Sequence, residues 1–282
     1  MQDNTVTVSD VINDESKNLK NIYDSNPISN DSSNDYELNQ DIGNCHYLTE
    51  TEFSELMSEK NISDNSHLKI LTLNVANLIS KLRSIKILIQ NISNASNRPN
   101  LITITETHLH KSQNHGYSSL QLENIIPGYK FFHKDRTRKK GGGVGIFIED
   151  KLAENATVEN DRFFVDEIFE SISVKIPDFP TQSGTKSLII VAIYRQPNDG
   201  HLRRFLELLE SWFQKYDKRS NELIVSGDFN LDLLKYQTHQ MTSEYLDIMT
   251  SHSLLPAITR PTRIKHTSAT LIDHIFTKKS RT

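Results

Sequence analysis

Apolar residues recur along this chain with two different periods, and the switches between them lay out a series of strands and helices from residue 67 onward. Residues 68–74 read as a strand. Residues 78–92 place Leu78, Ile79, Leu82, Ile85, Leu88, Ile89 and Ile92 at helical spacing, the stripe of a helix packed on one side. Residues 101–106 predict a second strand, which ends in the carboxylate of Glu106. Further strands are predicted at 129–132 and 143–148, around a basic turn, and at 170–176. Residues 187–194 form a continuous apolar, β-branched run suited to the middle of a sheet. Residues 202–213 are helical, with Leu202, Phe205, Leu206, Leu209 and Phe213 on one face. A strand at 223–225, a helix at 243–250 and a strand at 271–277 complete the series. Strands mixed with a few helices predict an α/β layered domain over residues 67–282, with no internal repeat.

Residues 1–66 have another texture. Residues 1–48 are rich in Asn, Asp and Ser and sustain no period, so they bury too little apolar surface to offset their ordering entropy and are expected to be disordered. A short helix is predicted at 49–60, capped by Thr49 with Glu52 three residues on. The first 66 residues hold eight Asp and six Glu against three Lys and no Arg, a net charge of −11. The chain as a whole carries −4, which leaves +7 on residues 67–282. An acidic tail on a basic body suits a protein that meets polyanions. Cys45 is the only cysteine, which excludes an intrachain disulfide and a cysteine-based zinc site and suits a reducing compartment. The first residues lack the basic and apolar regions of a signal peptide, and the longest apolar stretch is far too short to cross a bilayer. A soluble, intracellular protein with no membrane partner is expected.

Three of the apolar strands end in polar residues: Asn74, Glu106, and Asp228 with Asn230. A strand that closes in Gly227-Asp228-Phe229-Asn230 presents a carboxylate and an amide, two residues apart, on the same side. The carboxylate can act there as a base toward water, and the amide can hold that water or a phosphate oxygen. Ligands collect at the carboxyl ends of strands in layered α/β folds, and these oxygen donors match a hard divalent cation, magnesium or manganese. The pattern points to metal-assisted phosphodiester chemistry. Gly141-Gly142-Gly143-Val144-Gly145 is not a phosphate-binding P-loop, because no Gly-Lys-Ser/Thr follows and a strand rather than a helix opens there. It reads as a turn permitting close backbone approach, with Arg136, Arg138, Lys139 and Lys140 as a candidate phosphate-contacting cluster or a solvated basic turn. His108, His110 and His115 crowd the loop after Glu106 without a partner carboxylate arrangement, and Trp212 reads as core.

With these elements in place, the chain resembles the endonuclease/exonuclease/phosphatase superfamily, and within it the endonuclease domain of non-LTR (LINE-type) retrotransposons. The resemblance rests on Leu73-Asn74-Val75, Ile104 to Thr107, Gly141 to Ile146, Ala192 to Pro197, Ser226 to Asn230, Arg260 to Arg263 and Thr270 to Phe276, which occur in family order over about residues 67–279. It implies a layered α/β sandwich of two packed sheets flanked by helices. It also implies Glu106 as the metal ligand with Asn74 beside it, Tyr194 on the scissile phosphate, Asp228 activating or positioning water and Asn230 on a phosphate oxygen. Asp273 would match the aspartate that orients a catalytic histidine, and Thr262 a threonine of the preceding strand, grouped here with the candidate nucleic-acid contacts.

One family feature does not occur before Thr282: the Ser-Asp-His motif that follows the equivalent of Asp273. His274 adjoins that aspartate, but alternation along a strand turns its side chain to the opposite face. A C-terminally truncated domain lacking the last strand of the fold, with impaired catalysis, is therefore expected. The resemblance implies a magnesium-dependent DNA endonuclease, nuclear and monomeric, working with a reverse transcriptase domain in a full-length element. Two alternatives stand beside it: a phosphatase or phosphodiesterase of the same superfamily, and a degenerate domain that binds nucleic acid without cutting.

Overall fold

In the computed structural model the described residues are Cys45, Tyr47, Leu48, Glu52, Glu55 and 68–278, apart from 93–97, 111–116, 135–140, 161–162, 166, 182–183 and 266–267. The expected disordered tail, most of the predicted 49–60 helix, His115 and the basic residues Arg136, Arg138, Lys139 and Lys140 lie outside them. Glu52 and Glu55 are helical.

Two mixed sheets and their helices are built from elements that follow the sequence periods closely. The first sheet has the order β1 (Ile70–Asn74), β2 (Leu101–Thr105), β4 (Val144–Glu149), β3 (Tyr129–Lys134). β1 and β2 run parallel, joined by α1 (Leu78–Ile92), and β4 is antiparallel to both β2 and β3. A five-residue helix, α2 (Ser119–Glu123), precedes β3; its start is fixed by a capping box in which Ser118 and Gln121 exchange hydrogen bonds. A single turn of helix, α3 (Asp150–Ala153), follows β4.

The second sheet has six strands in the order β5 (Thr157–Val158), β6 (Phe169–Thr181), β7 (Gly184–Arg195), β8 (Asn221–Asp228), β12 (Asp273–Lys278), β9 (Leu254–Pro256). The apolar run at 187–194 lies in β7, a central strand, as its composition requires. β7 and β8 are parallel through the crossover helix α4 (Leu202–Tyr216), and α5 (Gln240–Ser251) leads into β9. A small hairpin of β10 (Arg263–Lys265) and β11 (Ser268–Thr270) precedes β12. β6 and β7 extend beyond the predicted strands into a long antiparallel arm, with a register shift between Ile176 and Phe179.

The sheets stack through residues that alternate along their strands. Ile70, Leu101, Val144, Ile146 and Ile148 of the first sheet join one apolar cluster with Ile172, Val174, Leu188 and Ile190 of the second. Inside that interface Thr103 Oγ1 and Ser226 Oγ share a hydrogen bond of 2.7 Å, so each buried hydroxyl finds its partner on the opposite sheet. The outer face of the first sheet is covered by α1, which buries Leu78, Leu82, Ile85, Leu88, Ile89 and Ile92; each contributes roughly 1.5–3 kcal/mol. Phe205, Leu209, Trp212 and Phe213 of α4 cover the second sheet, and Trp212 Nε1 donates to Ser173 Oγ, which makes Trp212 core. Gly227 is fixed by packing: at φ +139° a Cβ there would lie 1.9 Å from the Ile193 carbonyl oxygen of β7. Among the described residues no helix is long and apolar enough to cross a membrane.

Candidate active site

The carboxyl ends of β1, β2, β7 and β8 meet at one edge of the sandwich. β1 delivers Asn74, β2 is followed at once by Glu106, β7 ends in Tyr194-Arg195, and β8 ends in Asp228. Asn74 joins the two sheets here: its Nδ2 donates to Glu106 Oε1 at 2.8 Å and to Asp228 Oδ2 at 2.9 Å. Its Oδ1 accepts from the Ala76 N–H at 3.2 Å, which sets the amide's orientation. Asp228 Oδ1 accepts from the Asn230 N–H at 2.9 Å.

Cross-strand register extends this site along the inner face of the second sheet. Glu170 on β6 lies opposite Tyr194, Tyr194 opposite Asp228, and Asp228 opposite Asp273 on β12. Four polar residues thus form one row across four strands, on the face that also carries Ile172, Ala192 and Ser226. Asp273 is held from below by Thr262, whose Oγ1 accepts from the Ile272 N–H at 3.3 Å and the Asp273 N–H at 3.1 Å. Thr262 is buried, and its hydroxyl is committed to this turn.

Asn230 is positioned by Arg195, a buried side chain to which the sequence pattern assigns no role. The guanidinium donates to the Phe229 carbonyl at 2.6 Å and the Asn230 carbonyl at 2.7 Å, and Asn230 Nδ2 donates back to the Arg195 carbonyl at 2.8 Å. The second Nδ2 hydrogen of Asn230 and its Oδ1 are not used in that exchange. His108, which the sequence pattern leaves without a carboxylate partner, has its Nε2 3.5 Å from Glu106 Oε2.

Backbone strain concentrates here. Of the eight non-glycine residues with positive φ among those described, Ala76, Asn77, Glu106, His108 and Asn230 all belong to this edge. The three loops support one another: Asn77 N–H donates to the Glu106 carbonyl, Thr107 N–H to that of Gly143 and His108 N–H to that of Gly142.

Burial is the first cause that pushes the Asp228 carboxyl up, to about 6, and Glu106 adds to it; hydrogen bonds from Asn230 and Asn74 and the charge of Arg263 oppose the rise. His274 sits on the other face of β12. It stacks on Phe229 with ring centroids 4.9 Å apart, Nε2 donates to the Leu271 carbonyl at 3.0 Å, and Nδ1 accepts from the Tyr245 hydroxyl at 3.2 Å. Burial pulls it down to about 4, so it is a neutral core histidine.

The donor set fits a hard divalent cation. Glu106 and Asp228 present carboxylate oxygens on either side of one amide nitrogen, and among the described residues no lysine or arginine forms an ion pair with either. One or two carboxylates suffice for magnesium or manganese, which retain several waters. Among the described residues no group of three or more His, Cys, Asp or Glu is placed to hold a metal ion.

No curated protein matches the chain in sequence. Its fold is that of several solved structures. An apurinic endonuclease of Leishmania major superposes with a TM-score of 0.56 at 12% identity, over 74% of this chain and 78% of that one. The 3′ phosphatase NExo of Neisseria, bound to a product DNA hairpin, superposes with a TM-score of 0.53 at 15% identity, over 74% and 86%. The endonuclease domain of TRAS1, a telomere-specific non-LTR retrotransposon, gives 0.49 at 15% identity, over 75% and 84%. Residues 71–282, the whole of the two-sheet domain with its strand-end site, match the endonuclease/exonuclease/phosphatase family, and the chain belongs to it.

Proposed function

We propose that this domain is a magnesium- or manganese-dependent endonuclease that hydrolyses phosphodiester bonds of DNA, as in a non-LTR retrotransposon. The observation that carries the reading is the Asn74 amide bridging Glu106 and Asp228 from separate sheets, which yields a partly desolvated pair of carboxylates with no protein cation between them. Enzymes of this family generally use divalent metal ions. Glu106, with Asn74 beside it, would hold the cation, whose charge would stabilise the pentacovalent phosphate. Asp228, with a carboxyl raised toward neutrality, accepts a proton from the attacking water. The free hydrogen of Asn230 Nδ2 and the Tyr194 hydroxyl donate to phosphate oxygens as negative charge builds on them. Asp273, one strand beyond Asp228, would match the aspartate that orients a catalytic histidine.

DNA rather than a small phosphate ester is favoured by the +7 charge of residues 67–282. Arg136, Arg138, Lys139 and Lys140 are proposed phosphate contacts; Thr262, with its hydroxyl engaged by the Asp273 turn, would act on DNA through that turn. A nuclear site of action and a reverse transcriptase domain as functional partner go with this reading, and the domain is proposed to act as a monomer.

One observation favours a second reading, a domain that binds DNA and cuts it poorly. His274, the histidine next to Asp273, is sequestered in the core, and loss of one general acid typically lowers a rate by about 10²–10⁴-fold. Supercoiled-plasmid nicking in Mg²⁺ tests both. Slow nicking that disappears in Glu106→Gln and Asp228→Asn supports the endonuclease; metal-dependent DNA binding with no nicking supports the second reading. Equal nicking by wild type and both variants would remove these residues from catalysis.

A further inference from the structure

Glu170 is a buried carboxylate on β6 for which the proposed chemistry has no use, and its position in the fold gives it one. It heads the row that runs through Tyr194 and Asp228 to Asp273, and faces the first sheet. Its Oε2 accepts from the N–H of Gly143, the last residue of the Gly141–Gly143 turn. All three glycines have positive φ, at 85°, 71° and 90°, so this turn adopts a backbone that side chains rarely permit. At Gly143 a Cβ would lie 2.3 Å from Thr107 Oγ1, so the turn is pressed directly against the segment after β2.

That segment carries Glu106. The Gly143 carbonyl accepts from the Thr107 N–H at 3.2 Å and the Gly142 carbonyl from the His108 N–H at 2.8 Å. Between β2 and these two bonds stands Glu106 itself, at φ 54°, with its carbonyl taken by the Asn77 N–H. A continuous series of hydrogen bonds therefore runs from the Glu170 carboxylate through the glycine turn to the backbone on the C-terminal side of Glu106. The Glu106 side chain then meets Asn74.

We propose that Glu170 is a positioning residue: by anchoring Gly143 it fixes the strained backbone that presents Glu106 to the divalent cation. This inference rests on the metal-site reading above and adds to it a residue that touches neither cation nor substrate. Partners that orient a metal ligand typically carry about 10–100-fold in metal affinity. What Glu170 supplies to Gly143 is reach and an acceptor oxygen, which separates the variants. Glu170→Gln keeps both and retains near-wild-type behaviour; Glu170→Asp keeps the charge but withdraws the oxygen by one methylene; Glu170→Ala removes everything.

The test is Mn²⁺ binding by titration calorimetry, together with amide hydrogen exchange at Thr107 and His108 in the metal-free protein. Glu170→Asp and Glu170→Ala are expected to bind Mn²⁺ about 10–100-fold more weakly and to exchange faster at Thr107 and His108, while Glu170→Gln is rescued on both measures. Should Glu170→Ala fail to fold, the Asp and Gln variants decide. Wild-type affinity in Glu170→Asp, or a Glu170→Gln as weak as Glu170→Ala, would overturn the positioning role while leaving the metal site intact. Absence of Mn²⁺ binding by the wild type, or wild-type affinity in Glu106→Gln, would instead strike the metal-site reading and carry this inference down with it.

Discussion

Asp217 and Asp228 are both shielded aspartates of the second sheet's neighbourhood, and their surroundings differ in one respect that separates structure from function. Asp217, at the C-terminal end of α4, is closed in by side-chain partners: Lys278 Nζ lies 2.6 Å from Oδ1 and His252 Nδ1 2.7 Å from Oδ2, with Glu210 3.4 Å from the other ring nitrogen. Burial pushes its carboxyl up, but the hydrogen bonds of Lys278 and His252 outweigh that and leave it below the ordinary value. Asp228 is more deeply buried and is served by an amide and a backbone N–H, with Glu106 as a like-charged neighbour. One cluster is compensated by the protein's own lysine and histidine. The other holds two carboxylates, Glu106 itself at positive φ, and among the described residues no lysine or arginine pairs with either, an arrangement suited to a cation.

The contrast is broken most forcefully by removing a charge from each cluster. Asp228→Asn is expected to lower nicking by about 10²–10⁴-fold while leaving the metal-free protein as stable or more so, since a desolvated charge beside Glu106 disappears. Asp217→Asn should do the reverse. Plasmid nicking and thermal unfolding on the same preparations check both; destabilisation by Asp228→Asn in the metal-free state would mean its charge is already compensated.

The next effect concerns pH. Burial holds His274 near 4 against an ordinary 6.5, with Tyr245 and Phe229 as its neighbours. On acidification from about 6.5 to 4 the unfolded chain takes up this proton first, so stability falls, by about 3 kcal/mol. Asp228, raised to about 6 from 3.8, works oppositely: the folded state takes up the proton first, and acidification over that window adds stability of about the same size. The two therefore oppose each other in the metal-free wild type. Urea unfolding between pH 4 and 6.5 should show a steep loss of stability on acidification in Asp228→Asn and a gain in His274→Gln. Parallel profiles in all three proteins would contradict both assignments.

The smallest effect falls on the compensated cluster. The Asp217 side chain is 25% exposed and that of Lys278 17%, so solvent screens part of their attraction. Lys278→Met is expected to cost about 1 kcal/mol and lower the melting temperature by about 2–4 °C, with nicking unchanged. The contribution of Asp217 is present above the ordinary carboxylate range and fades as pH falls through its lowered value. An effect of Lys278→Met on metal affinity would show that the two clusters are not independent.

Most of this architecture could be read from periodicity, and the parts that could not share a cause. α1, β7 and α4 emerge cleanly because one-sided or continuous apolar patterns reflect what each element buries. β5, β9 and the β10–β11 hairpin are two or three residues long, too short for any period to register. The outer half of the β6–β7 arm is half-exposed and mixes Pro, Asp and Thr, so its strand character comes from pairing rather than pattern. At the site, Asn74, Glu106, Asp228 and Asn230 were legible because polar residues close apolar strands. Glu170 was hidden inside an alternating strand, where a carboxylate passes for a solvent-facing position, and only the partner sheet shows that its face is internal. Arg195 was similarly hidden: the sequence offers a cation beside a tyrosine, but its three carbonyl partners come from the chain about 35 residues on and from its own turn. His108 came close to Glu106 through two positive-φ residues, a bend no spacing rule anticipates.

Titration of the metal-free protein with Mn²⁺, followed by calorimetry, bears most directly on the difference between the clusters. Wild type and Asp217→Asn should bind one ion with the same affinity, and Glu106→Gln and Asp228→Asn should each lose most of it. Unchanged binding in Glu106→Gln, or loss of binding in Asp217→Asn alone, would contradict the assignment of the strand-end carboxylates as the cation site.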